Sequence, residues 1–178
     1  MLAWLLCALF ARCEPVEAGA PVVTSEAATM AVAVPLVARW EGLETTAYLD
    51  RIASPPVWTI CYGETEGVRP GEVRTREECE DGLRRGLVRY RNGIHPAFTA
   101  ETRSQRLPPD RDAAFVSLAW NVGIGGVRGS TATRRLNAGD IRGACEALTW
   151  WNRAGGRVVR GLVNRRADEH RLCLQGVT

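Results

Sequence analysis

Lysine is absent from this chain of 178 residues, so its 23 basic residues are all arginine. Histidine is scarce too, since only His95 and His170 occur. The six cysteines form no CxxC pair, and no other His- or Cys-rich spacing indicates a metal site. We therefore expect neither a metal nor a cofactor. The chain also lacks a recognised nucleic-acid-binding motif, and a formal net charge of +3 gives only a mildly basic surface, so we expect no nucleic-acid partner.

A hydrophobic run long enough to cross a membrane is also missing from the sequence. The N-terminal apolar run, 1–11, is shorter than the roughly 20 residues that a spanning helix needs. No basic residue precedes it, as one would in a secretion signal. We predict that residues 1–33 form an N-terminal leader and that residues 34–178 form one domain. The sequence leaves three alternatives for the leader: a cleaved signal, a weak and releasable membrane anchor, or a disordered or misannotated extension.

The first segment of the predicted domain has the marks of a short helix. Pro35 is typical of a first helical turn, and Gly42 is typical of the residue just past a helix end. We therefore predict a helix at Pro35–Glu41. Val37 and Glu41 are one turn apart on it, which puts the carboxylate of Glu41 on or beside the inward face.

Two short segments rich in β-forming residues follow this helix. They are Ala47–Asp50 and Val57–Tyr62, and the serine and prolines between them predict a small hairpin. Asp50 then lies at the end of one strand, and Thr59 lies in the return strand with its hydroxyl available for hydrogen bonding.

The rest of the chain shows helical patterns. Thr75 and Glu78 form a capping box, which predicts a helix from there to about Arg91. We predict that Asp110 caps the central core helix, Arg111–Asn121, because apolar residues recur along it at helical spacing. Further helices are predicted at 130–136, from 140 to about 151, and from about 158 to 174.

Two motifs in the first half resemble a known enzyme family. WEG-x5-YLD contains Glu41 and Asp50, and WT-x-CYG contains Thr59; together they resemble the catalytic stretch of the phage-type lysozymes, glycoside hydrolase family twenty-four. The family pattern is Glu, eight residues, Asp or Cys, five residues, Thr. Eight residues separate Asp50 from Thr59 here, so we place the three extra residues in a turn at Arg51–Pro56, where insertion is tolerated. Further segments resemble the family in the same order: WNVG at 120–123, STATRRLNAGD at 130–140, GACEAL at 143–148 and WWNRAGGRVVRGLVNRR at 150–166.

This resemblance implies an α+β, lysozyme-like fold with a small antiparallel β lobe, a larger helical lobe and a catalytic cleft between them. It also implies an endolysin with muramidase activity, which hydrolyses the β-1,4 bond between N-acetylmuramic acid and N-acetylglucosamine in peptidoglycan and lyses the host cell. We assign Glu41 as the general acid, and Asp50 with Thr59 as the groups that position the attacking water. The resemblance further implies inversion at the anomeric carbon. The altered spacing leaves an alternative, a peptidoglycan-binding protein with impaired catalysis.

The resemblance also implies which residues surround the site. Arg157 matches a family arginine that packs beside the catalytic glutamate. A helix N-cap is at least as good an interpretation for Ser130 and Thr131 as a sugar contact. The residues placed near the sugar-binding groove are Gly63, Asn121, Gly123, Ser130 and Thr131.

The cysteines indicate the cellular compartment in which the protein works. Relatives with cysteines at the matching positions imply the disulfides Cys61–Cys79 and Cys145–Cys173. Disulfides need an oxidising space, which agrees with the periplasm of a Gram-negative host after synthesis in the cytoplasm. We expect a monomer whose leader associates transiently with the membrane. The remaining cysteines, Cys7 and Cys13, either pair with each other or hold an inactive form by exchange with a domain thiol.

Overall fold

The computed structural model describes residues 25–177. The predictions for most of the leader, and for Cys7 and Cys13, therefore lie outside the described residues. Within 25–177, no helix is both long and apolar enough to cross a membrane. The elements in chain order are α1 (Glu26–Glu41), β1 (Glu44–Asp50), β2 (Val57–Cys61), α2 (Arg76–Ile94), a 3-10 turn (His95–Ala97), a π-helical turn (Thr102–Arg106), α3 (Pro109–Val122), α4 (Ile124–Arg128), α5 (Thr131–Asn137), α6 (Ile141–Leu148), β3 (Arg153–Ala154), β4 (Arg157–Val158) and α7 (Arg160–Cys173).

The β lobe is built on an antiparallel hairpin of β1 and β2, as predicted. Its register pairs Asp50 with Val57 and Tyr48 with Thr59. Directly opposed residues of an antiparallel pair share a face, so Asp50 and Thr59 lie on the same face of the hairpin. The connection between the strands is residues 51–56, the turn in which we expected the inserted residues. This connection can hold the three extra residues, and Thr59 lies on the face that carries Asp50.

Helix α1 begins at Glu26 rather than at the predicted Pro35. Ser25 caps it, since its side chain accepts a hydrogen bond from the Ala28 N–H at 3.1 Å. Pro35 lies inside the helix and removes one backbone hydrogen bond, but burial of the apolar face offsets this loss. Residues 26–33, predicted as the end of the leader, therefore belong to a helix that continues to Glu41. The buried apolar residues of its inward face are Met30, Ala33, Val34 and Val37.

Helix α3 is the centre of the helical lobe, which confirms the prediction for this segment. All nine residues from Arg111 to Ala119 are buried, because α1, α2 and α7 pack around it. The helix begins at Pro109, whose missing N–H is no loss in a first turn. Asp110 therefore lies inside the first turn, and the prediction that it caps the helix was wrong.

The ends of the other helices follow local chemistry. The capping box of α2 is present, with the Glu78 N–H donating to Thr75 Oγ1 at 3.1 Å and the Thr75 N–H to Glu78 Oε2 at 2.7 Å. Helix α2 continues to Ile94, a little beyond the predicted end at about Arg91. Helix α6 ends at Leu148, before the predicted Trp151, and the short hairpin of β3 and β4 separates it from α7.

A buried carboxylate joins the first three helices. Asp112 of α3 is fully buried and accepts hydrogen bonds from Thr29 Oγ1 of α1 at 2.8 Å and from Arg91 Nε of α2 at 2.6 Å. His95 Nε2 lies 2.9 Å from its second oxygen. A buried carboxylate is tolerated only when it is paired in this way, so Asp112 fixes how α1 and α2 meet α3.

Both disulfides implied by the resemblance are present. Cys61–Cys79 ties the end of β2 to the first turn of α2, and Cys145–Cys173 ties α6 to the end of α7. The second bridge fastens the C-terminal helix, which carries the ion pairs described below.

Replacement of Cys145 and Cys173 by Ala should lower the free energy of unfolding. The bridge spans a sequence separation of 28 residues, for which loop closure predicts a loss of about 3.6 kcal/mol. Urea unfolding of the oxidised protein and of the double variant measures it. Reduced wild type is the control and should unfold still more easily, because it loses both bridges. Equal midpoints for the variant and the oxidised wild type would contradict the expectation.

Candidate functional site

A cleft of about 800 Å³ opens between the β lobe and α2. One wall runs from Cys61, the last residue of β2, to Glu66, and the other is a face of α2 from Cys79 to Tyr90. Glu41 and Trp120 complete the lining. The Cys61–Cys79 disulfide joins the two walls, so the width of the cleft at that point is covalently fixed.

Glu41 presents a partly exposed carboxylate to this cleft. It is the last residue of α1, and Gly42 ends the helix with a φ of +74° that favours glycine. The carboxylate side chain is 26% exposed, and its Oε1 accepts a hydrogen bond from Arg165 Nη1 at 2.7 Å. Its Oε2 has no hydrogen-bond partner within residues 25–177, so one oxygen is held in place and the other is available to a ligand.

The cation beside Glu41 is Arg165 and not Arg157, so this part of the prediction was wrong. Arg157 lies in β4 and is exposed. Arg165 is on α7, eight residues further along, with a side chain that is only 6% exposed. The sequence did hold a signal for Arg165: it lies four residues before Glu169, which is the spacing at which opposite charges pair on a helix.

Arg165 is held in turn by a buried ionic cluster with Glu169, Arg166 and Ser117. Glu169 Oε1 accepts from Ser117 Oγ at 2.7 Å, Arg166 Nη2 at 2.8 Å and Arg165 Nε at 3.3 Å. Arg166 Nε also lies 2.7 Å from Oε2, although it is not aligned for a hydrogen bond. Arg165 Nη2 donates to the Ser117 carbonyl at 3.3 Å. The cluster therefore fixes the guanidinium that reaches Glu41.

Burial and charge act against each other inside the cluster. Burial raises the pKa of Glu169, while the charge of Arg166 and the Ser117 hydroxyl oppose that rise. Burial lowers the pKa of Arg166, and the charge of Glu169 opposes it. Because each group is buried and depends on its partner, loss of one leaves the others uncompensated.

Asp50 and Thr59 lie on the hairpin, and neither is among the residues that line the cleft described above. Asp50 Oδ1 accepts hydrogen bonds from the N–H groups of Ile52 at 2.8 Å and Ala53 at 3.4 Å. These bonds fix the carboxylate at the start of the turn and leave Oδ2 without a partner in the described part of the chain. Thr59 is buried, and its hydroxyl donates to the Val57 carbonyl at 3.3 Å, which leaves its oxygen free to accept.

The five residues predicted near the sugar groove separate into two groups. Gly63 lines the cleft with a φ of +92°, whereas the other four do not. Asn121 is exposed, and its Oδ1 accepts from Arg166 Nη1 at 3.1 Å. Gly123 ends α3 with a φ of +86°.

Ser130 and Thr131 have roles at the start of α5. Ser130 is 5% exposed and caps the helix, with its Oγ accepting from the Thr133 N–H at 3.0 Å. This confirms the alternative interpretation of Ser130. Thr131 Oγ1 accepts from Arg134 Nη2 at 2.7 Å.

The sequence analysis missed most of the cleft wall. Glu64 pairs with Arg74 at 2.9 Å, and the rings of Tyr90 and Trp120 meet with centroids 5.1 Å apart. The sequence analysis recognised α2 from its capping box and gave no role to the arginines on its charged face. Across residues 25–177, no cluster of His, Cys, Asp or Glu is arranged to hold a metal ion.

Glu169→Gln should cost about 3–5 kcal/mol of unfolding free energy, because it leaves Arg166 buried without a counter-charge and leaves Arg165 with Glu41 as its one carboxylate partner among residues 25–177. Asp168→Asn on the same helix is the control. Asp168 pairs with the more exposed Arg39 and Arg171, so its loss should cost about 1 kcal/mol or less. Urea unfolding compares the two variants, and equal midpoints would show that the cluster is not a structural requirement.

Comparison with known proteins agrees with this architecture. The phage lysozyme family model matches residues 38–169. The SAR-endolysin of Enterobacteria phage P21 is 36% identical over 137 residues, which cover 76% of this chain and 80% of that protein.

Two solved structures share the fold. The endolysin from Escherichia coli O157:H7 phage FAHEc1 superposes with a TM-score of 0.68 at 31% identity, covering 82% of this chain and 92% of that one. The muramidase domain of SpmX from Asticaccaulis excentricus superposes with a TM-score of 0.69 at 29% identity, covering 80% of this chain and 94% of that one. The chain therefore belongs to the phage lysozyme family, whose members are glycoside hydrolases that act on peptidoglycan.

Proposed function

We propose that this protein is a muramidase that cleaves the β-1,4 bond between N-acetylmuramic acid and N-acetylglucosamine in peptidoglycan. The observation that carries the proposal is Glu41, a carboxylate at a helix end that faces a cleft and has one oxygen fixed by Arg165. Family membership and the likeness to a muramidase domain support the choice of bond.

Glu41 is the proposed general acid. Its proton moves to the bridging oxygen as the bond between that oxygen and the anomeric carbon breaks, so the leaving sugar departs as an alcohol. The charge left on Glu41 is then stabilised by Arg165, which is already in hydrogen-bond contact. Because Arg165 is locked by Glu169 and Ser117, little reorganisation is needed as that charge develops.

Asp50 is the proposed general base, on the side of the sugar ring opposite Glu41. Its free Oδ2 takes a proton from water, whose oxygen bonds to the anomeric carbon from the face opposite the leaving group. Thr59, on the same face of the hairpin, accepts a hydrogen bond from that water. The product is then inverted, a geometry in which the two carboxyl groups stand roughly 6.5–9.5 Å apart.

The remaining contacts and the setting are part of the same proposal. Gly63 lets the glycan approach the backbone at the cleft, and Asn121, Gly123 and Thr131 are the proposed sugar contacts outside it. Ser130 has the structural role of a helix cap. We propose that the protein acts as a monomer in the periplasm of a Gram-negative host, reached through a leader that associates transiently with the membrane, and that it lyses the host. The two disulfides support an oxidising compartment.

Glu41→Gln should abolish the release of reducing ends from purified peptidoglycan. The amide cannot donate a proton to the leaving oxygen, and the loss should be about 100-fold to 10,000-fold in kcat. Glu44→Gln is the matched control, since Glu44 is an exposed glutamate of β1 that does not line the cleft. Its rate should equal that of wild type.

Two results would overturn the assignment. A folded Glu41→Gln protein that hydrolyses at the wild-type rate would remove Glu41 from the chemistry. Wild type that pellets with sacculi without releasing reducing ends would favour a binding protein with impaired catalysis.

Thr59→Val tests the water-positioning role. Valine keeps the shape but removes the hydroxyl, so kcat should fall about tenfold or less, the worth of one hydrogen bond, with KM unchanged. Thr46→Val, at an exposed position of β1, controls for loss of a hydroxyl from the hairpin. A Thr59→Val enzyme with unchanged kcat would show that the hydroxyl only packs within the strand.

A further inference from the structure

The face of α2 that lines the cleft carries two arginines. Gly82, Arg85, Gly86, Arg89 and Tyr90 all line it, and their spacing of three and four residues puts them on one side of the helix. Arg85 and Arg89 are therefore stacked one turn apart along the wall of the cleft into which Glu41 also points.

Gly82 and Gly86 let two neighbouring side chains pack closely against the helix beside these arginines. A Cβ at Gly86 would lie 2.7 Å from Trp120 Cζ3, and a Cβ at Gly82 would lie 2.8 Å from Glu64 Oε2. Trp120 and Glu64 therefore pack directly against the helix. The guanidinium groups are the cations that this wall offers to a ligand in the cleft.

Among the described residues, neither arginine makes a close ion pair. Within residues 25–177, Arg85 makes no ion pair, and Arg89 reaches only Glu66 at 3.9 Å with both side chains highly exposed, at 74% and 90%. The other carboxylates of the cleft are already engaged. Glu64 pairs with Arg74 at 2.9 Å, and Glu41 pairs with Arg165 at 2.7 Å. A ligand carboxylate could therefore replace Glu66 at little cost, since an exposed pair of that length is weak.

The negative charges of the proposed substrate lie on its stem peptides. The glycan strand is neutral, because the lactyl carboxyl group of each N-acetylmuramic acid is in amide linkage to its stem peptide. The carboxylates belong to that peptide. Guanidinium groups bind carboxylates with two parallel hydrogen bonds, which an uncharged sugar cannot match in strength.

We propose that Arg85 and Arg89 form a subsite for the carboxylates of the stem peptide carried by the glycan strand in the cleft. This inference rests on the proposed muramidase function and adds a specificity determinant to it. The two arginines position the substrate and take no part in the proton transfers at Glu41 and Asp50.

The test compares two substrates and two double variants of the full chain. The substrates are native sacculi and sacculi whose carboxyl groups have been converted to methylamides with carbodiimide and methylamine. The variants are Arg85→Gln/Arg89→Gln and the control Arg76→Gln/Arg84→Gln. Both remove the same charge from exposed positions of α2, but the control residues do not line the cleft.

On native sacculi, the cleft double variant should show an apparent KM about fivefold above that of wild type, with kcat unchanged. A change of this size is what the loss of two exposed ion pairs should cause. On amidated sacculi it should match wild type. The control double variant should match wild type on both substrates. Equal behaviour of the two double variants, or an equal loss on both substrates, would overturn the subsite.

Failure of the muramidase proposal gives a different result. Wild type would then release no reducing ends from either substrate. Pelleting with the same sacculi still decides the subsite in that case. The subsite is supported if the cleft double variant is retained less than the control on native sacculi but equally on amidated sacculi. Equal retention on native sacculi overturns the subsite.

Discussion

The buried ion pair between Arg165 and Glu169 is the interaction on which the site depends. Glu169 is fully buried on α7, and it would be costly there without Arg165, Arg166 and the Ser117 hydroxyl. The same contacts align Arg165 so that its remaining nitrogen reaches Glu41. One buried carboxylate thus connects the C-terminal helix, the central helix and the proposed acid, and the position of Glu41 is set by the packing of α7 on α3.

A second buried carboxylate acts on the other end of α1. Asp112 binds Thr29 near the start of that helix, while Arg165 holds Glu41 at its end. Helix α1 is therefore fastened to the helical lobe at both ends by polar contacts and between them by its apolar face. This explains how a helix with an internal proline can present a carboxylate at a fixed place in the cleft.

Local sequence patterns predicted most elements, because their causes are local. The capping box at Thr75 and Glu78, the hairpin around residues 51–56 and the apolar spacing of α3 each need only a few neighbouring residues to be recognised. The start of α1 could not be predicted in this way. Its first half is rich in alanine and valine and precedes a proline, and only the core that receives Met30 and Ala33 makes it part of the domain.

The sequence by itself determined the residue types and the spacing of the proposed site: Glu41 at a helix end, Asp50 at a strand end and Thr59 in the return strand. It also determined the disulfides, once the resemblance was recognised. Tertiary structure alone decided that Arg165, and not Arg157, meets Glu41, and that Arg85 and Arg89 line the same cleft. The physical reason is distance along the chain. Arg165 and Glu41 are 124 positions apart, and the packing of α7 and α2, rather than a pattern within one segment, decides which residues meet at the cleft.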